Sequence, residues 1–119
     1  MRYLCILALF MFASASASAK CERDKYGAFA DVQCASEAAK LADLELNAVY
    51  KRMLDSVDAH SRQRLVDAQR KWLAFFLAHI QFIEKLDGRG ADGQLTALNA
   101  NEKYKRARAD DLRQWIRQN

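Results

Sequence analysis

Residues 72–83 read Trp72-Leu73-Ala74-Phe75-Phe76-Leu77-Ala78-His79-Ile80-Gln81-Phe82-Ile83, a stretch without lysine, arginine, acid, proline or glycine. Trp72, Phe76, Ile80 and Ile83 recur in it at spacings of four, four and three, and Leu65 and Gln69 extend the stripe backwards. That period belongs to one face of an α-helix, not to the alternation of a strand. Val66, Leu73 and Leu77 form a neighbouring stripe, so the segment is apolar around much of its circumference. It predicts a helix from about Arg62 to Leu86 that is the most buried of its bundle. Trp72 to Leu77 is an unbroken apolar run of six residues. A bilayer span needs roughly 20, so the stretch reads as core.

On the N-terminal side, Ala38, Ala42, Leu46, Val49, Met53 and Val57 recur every three or four residues, predicting a helix over about 35–57. Tyr50 and Leu54 widen its apolar stripe, and Lys40, Asp43, Lys51 and Asp55 fall on the wet side. Asp58-Ala59-His60-Ser61 turns the chain, with Ser61 as the expected cap of the next helix. On the C-terminal side, Asp87 to Gly93 collects three of the four glycines of the chain and predicts a flexible connection. Gly88-x-Gly90-x-x-Gly93 has the spelling of a dinucleotide loop but follows a helix instead of a strand, so it carries no phosphate-binding meaning.

A third helix over about 94–117 is more polar. Leu95, Leu98, Leu112, Trp115 and Ile116 mark its apolar ends, and Asn101, Glu102, Lys105 and Arg108 its middle. Each helix of this length extends about 35 Å. Matched lengths joined by short turns predict an all-α fold, an antiparallel bundle of three long helices. The absence of proline agrees with that, and 51% hydrophobic residues against 29% charged exclude intrinsic disorder.

The first nineteen residues stand apart. Arg2 precedes an apolar run, Tyr3 to Ala13, and a small-residue segment ending Ala17-Ser18-Ala19, the pattern of an exported chain's cleavable signal. The expected division is a signal peptide over 1–19 and one helical domain over 20–119, with Cys5 leaving with the signal. The domain then carries 18 basic and 15 acidic side chains, a net +3. Its two cysteines, Cys21 and Cys34, most simply pair with each other in an oxidising compartment. Closing such a loop contributes on the order of 3 kcal/mol. The segment they bound, with Tyr26, Phe29 and Val32, is expected to fold across one end of the bundle as a lid.

Two strings give the chain a likeness. Ala42-Asp43-x-Glu45-Leu46-Asn47-x-x-Tyr50 and Leu65-x-x-Ala68-Gln69-Arg70-x-Trp72-x-x-Phe75 follow the cysteine pair in order, and Arg108 with Leu112 closes the pattern. The chain resembles the LprI-like lysozyme-inhibitor domain family of exported bacterial proteins over roughly residues 21–112. It departs in three places: Phe76 stands where members commonly carry arginine, a second cysteine pair is missing, and Gly88-Arg89-Gly90 replaces a Gly-Gly-Ser-like turn. The matching residues read as structural. Asn47 and Gln69 are amides beside apolar faces and are expected to bond each other or backbone, with Trp72 over the contact and the Tyr50 hydroxyl at the rim.

The resemblance implies a protein that binds and restrains lysozyme or a related peptidoglycan hydrolase. A basic domain is poorly suited to long-range attraction of a basic enzyme, so docking needs a local acidic patch. Glu22, Asp24 and Asp31 near the cysteines are one such patch, and Asp87 and Asp92 in the glycine connection are another. The second reading is a non-catalytic module for an anionic envelope component, lipid headgroups or cell-wall polymer, carried by Lys103, Lys105, Arg106, Arg108, Arg113 and Arg117. Nucleic acid suits the charge but not export. An enzyme is not expected. His60 lies in a turn, and His79 and Glu84 miss the spacing of a metal-binding helix. No nucleophile stands in a recognisable setting, so no cofactor or metal is expected.

Overall fold

The computed structural model describes residues 21–86 and 90–118, with the side chains of 117 and 118 left aside. The signal segment 1–19, Cys5, Gly88, Asp87 and the Arg117 side chain lie outside the described residues. The order is α1 (Arg23–Tyr26), a 3-10 turn (Gly27–Phe29), α2 (Ala30–Ser56), α3 (Ala59–Leu86) and α4 (Ala91–Gln118). The expected all-α bundle of three long helices is present, α3 running antiparallel to the other two.

Each long helix begins earlier than its apolar stripe. Asp58, not Ser61, caps α3: the Ser61 N–H donates to Asp58 Oδ1 at 2.8 Å and the Ser61 hydroxyl to Oδ2 at 3.2 Å. These two bonds favour the charged form and hold the Asp58 carboxyl below its ordinary range. At α4, Gly90 at φ 144° makes the reversal, and the Gln94 N–H donates to its carbonyl at 3.1 Å. Gly93 is therefore buried in the first helical turn instead of belonging to a loop.

The core lies between α2 and α4, which run parallel. Leu46 and Val49 meet Ala109 and Leu112 in one buried cluster, with Tyr50, Leu65, Trp72 and Ile116 packed around it. Ala42 and Ala109 are fully buried. A stripe of such small residues, with Ala35 and Ala39 also covered, lets the two backbones approach closely.

Here the structure corrects two expectations. The apolar helix is not the most buried one. Only Gln69 and Phe76 of α3 are buried, against seven residues of α2. Phe75 and Phe82 are each 54% exposed, and Leu77 is 58% exposed. The reason is geometric: α3 packs mainly on α4, less closely than α2 does, and reaches α2 through few contacts such as the Arg62 bond to the Leu54 carbonyl. A loosely seated helix is covered along a narrow stripe and keeps both flanks open. The segment between the cysteines is likewise no lid over the bundle. The Cys21–Cys34 disulfide (Cα–Cα 5.4 Å) folds it back along the start of α2, where the Tyr26 hydroxyl donates to Glu37 at 2.5 Å and Arg23 pairs with Asp31. Phe29 faces solvent.

Candidate functional site

The residues of the two sequence strings converge on α4, although they do not all touch. Glu45 accepts from Arg106 Nη1 at 2.7 Å and from Arg113 Nη2 at 2.5 Å. Arg106 also donates to Glu102 and Arg113 to Asp110; the bond to Glu102 chiefly holds the Arg106 guanidinium above its ordinary range, and the bond to Glu45 chiefly raises that of Arg113. Lys105 bridges to Asp43 at 2.7 Å. On the α3 side, Arg108 Nε donates to Gln69 Oε1 at 3.0 Å and Nη1 to Asp111 at 2.6 Å, with the guanidinium 6.0 Å from the centre of the Trp72 ring. Trp72 stacks on Phe76 at 5.2 Å. The polar middle of the third helix is thus a clamp gripping both neighbours.

The expected Asn47–Gln69 contact does not form. Asn47 is exposed and donates to Asp43 one turn back at 3.3 Å, off the Leu46 and Val49 stripe that enters the core. Gln69 is buried against Arg108 instead, and Trp72 covers that pair. Tyr50 packs at the edge of the core; Arg70 and Phe75 are exposed. Glu45, Gln69 and Arg108 were singled out by the strings. Arg106 and Arg113 entered the sequence reading only as part of a basic run, since their partner lies some sixty residues away in sequence. Phe76, the departure from the arginine expected there, is buried, with Lys105 Nζ 5.5 Å from its ring centre.

This clamp uses up the basic helix. Lys105, Arg106, Arg108 and Arg113 each have an acidic partner, and among the described residues of that set only Lys103 has none. His79 shares a 2.8 Å hydrogen bond with the Tyr104 hydroxyl, and Arg64 donates to exposed His60. Among the described residues no cluster of His, Cys, Asp or Glu is arranged to hold a metal ion.

The acids meet differently. Because α2 and α4 run parallel, Glu22, Asp24 and Asp31 at the start of one share an end of the bundle with Asp92 at the start of the other, and all four are exposed. Asp92 is thus placed at the same end as the three acids near the cysteines, although far from them in sequence. A groove of about 770 Å³ opens there between the end of α3 and the start of α4, lined by Ile80, Gln81, Glu84, Ala97, Leu98 and Asn101. An adjoining hollow of about 480 Å³ continues it towards α2 through Ser36, Ala39 and Asp43. Leu98 and Asn101 belong to both. Asn101 Oδ1 is buried at this junction and accepts no hydrogen bond among the described residues.

Compared with known families, residues 19–117 match the model described as "Lysozyme inhibitor LprI". The chain belongs to the LprI lysozyme-inhibitor family. The match continues through Phe76 and the glycine connection to the end of α4, so the departures there lie within an LprI domain. No curated protein and no solved structure matches this LprI chain. Among the described residues no helix is long and apolar enough to cross a membrane.

Proposed function

We propose that this LprI-family chain is an exported, non-catalytic protein that binds and inhibits lysozyme or a related peptidoglycan hydrolase. The family match over residues 19–117 carries the reading. Its docking surface is the end of the bundle bearing Glu22, Asp24 and Asp92, with Asp31, already paired with Arg23, beside them and Asp87 adjacent in sequence. Support comes from the charge distribution. A domain of net +3 does not draw in a basic enzyme from a distance, but local carboxylates pair with surface arginine and lysine at close range. The bases of α4 are meanwhile held by internal acids, which lowers the repulsion they present and takes support from the anionic-surface reading. Export rests on residues 1–19, and the disulfide suits an oxidising compartment.

The test is protection of bacterial cell walls. Purified protein added at stoichiometric dose slows clearing of a wall suspension by lysozyme. Unchanged clearing at a large molar excess removes lysozyme as the target.

A further inference from the structure

The outer face of α3 is patterned for pairing with itself. Asp67, Lys71, Ala74, Ala78, Gln81 and Lys85 form its outermost ridge and all are exposed. Their spacings, four, three, four, three and four, read the same from either end. An antiparallel copy placed about a two-fold axis beside Phe76 sets Asp67 opposite Lys85, and Ala74 opposite Ala78. Small residues at the crossing let two helices approach closely, and an isologous contact repeats each ion pair.

Both flanks of the ridge agree with that register. On one, Leu73 meets Leu77 of the second copy and Arg70 meets its Glu84. On the other, the two Phe75 rings adjoin across the axis and Phe82 meets Lys71 of the second copy, a cation over an aromatic face. Arg70, Lys71, Glu84 and Lys85 are exposed, and no ion pair within the described residues engages them. A parallel pairing opposes each of these charges to its own kind.

The area suffices as well. Leu73, Phe75, Leu77, Phe82 and Leu86 are 43–67% exposed. At roughly 150–250 Å² for a large side chain, they offer about 500 Å² of apolar surface. A standard interface takes about 800 Å² from each partner, a little over half of it apolar.

We propose that the outer face of α3, from Asp67 to Leu86, is the interface of an antiparallel homodimer with its two-fold axis beside Phe76. The pairing places Asp67 and Arg70 of the second copy beside Lys85 and Glu84 at the mouth of the groove, so the second copy completes that edge. It stands independently of the hydrolase reading.

Sedimentation equilibrium of the purified protein tests it, with the expected result twice the monomer mass. Leu77→Glu weakens association by about a hundredfold or more, and leaves the helical circular dichroism intact because Leu77 lies outside the core. Asp67→Lys and Lys85→Asp each weaken it by about tenfold. The double exchange, Asp67→Lys with Lys85→Asp, restores it. A monomer at all concentrations overturns the pairing. So does a dimer that ignores Leu77→Glu, a double exchange that fails to recover association, or a monomer that instead sediments with phosphatidylglycerol vesicles.

Discussion

The α2–α4 seam and the outer half of α3 differ in the opposite sense from their compositions. The seam joins an alanine-rich stripe to the most polar helix, yet it holds the buried cluster of Leu46, Val49, Ala109 and Leu112. The outer half of α3 has the densest apolar sequence, yet Phe75, Leu77 and Phe82 face outward. Burial follows how closely a helix is seated on its neighbour: α2 and α4 meet tightly along the alanine stripe, whereas α3 meets α4 more loosely. Apolar side chains that the fold does not cover remain available for contacts with another molecule.

Substitution separates the regions most sharply. Leu46→Ala or Leu112→Ala removes a side chain packed on all sides and is expected to cost about 2–5 kcal/mol. Leu77→Ala on the outer face is expected to stay within about 0.5 kcal/mol in a monomeric sample. Urea unfolding followed by circular dichroism measures both, and equal losses would break the comparison.

Breaking the disulfide comes next. Cys21→Ser with Cys34→Ser releases a segment that packs only on the start of α2, and is expected to cost about 3 kcal/mol by the loop-entropy argument. The same unfolding experiment shows a lower midpoint, with the helix content of α3 and α4 kept before the transition.

Gln69→Leu probes the clamp where α3 joins the seam. It leaves Arg108 Nε without its acceptor and is expected to cost about 1–3 kcal/mol. Shortening Arg108 together with Gln69 should add less than the sum of the single changes, because the two share one bond.

The smallest effect is a pH dependence at the α2–α3 turn. The Asp58 carboxyl lies below its ordinary range when folded, so its contribution is full above the unfolded value, about 3.9. It fades as pH falls through the lower folded value. Asp58→Asn keeps a capping acceptor but does not titrate in this range, so it should flatten part of the acid limb of a stability–pH curve. An unchanged limb would place that dependence elsewhere.

Three helices were legible in the sequence because apolar periodicity marks a helical face whatever lies against it. The α2 core residues Ala42, Leu46, Val49 and Met53 came directly from that stripe. What periodicity omits is how closely a helix is seated on its neighbours, which is why the helix holding Trp72 to Ile83 read as the most buried of the bundle. Helix starts were missed for another reason: Asp58 and Gly90 act through backbone geometry and capping, outside the apolar pattern. Of the candidate site, Glu45, Gln69 and Arg108 stood out in sequence. Their partnerships did not, since Glu45 and Arg113 are 68 residues apart. The single acidic end was also hidden, because it depends on α2 and α4 running parallel.

The most direct measurement is a lysozyme inhibition titration comparing the natural protein with a variant in which Glu22, Asp24, Asp31 and Asp92 are changed to lysine. These residues are exposed and stand apart from the buried cluster. The predicted result is inhibition reaching completion near one equivalent for the natural protein, and a loss of at least about tenfold in potency for the variant, with the helical circular dichroism of both alike. Equal potency of the two proteins would contradict the acidic end as the docking surface, and absence of inhibition by either at large excess would contradict lysozyme as the target.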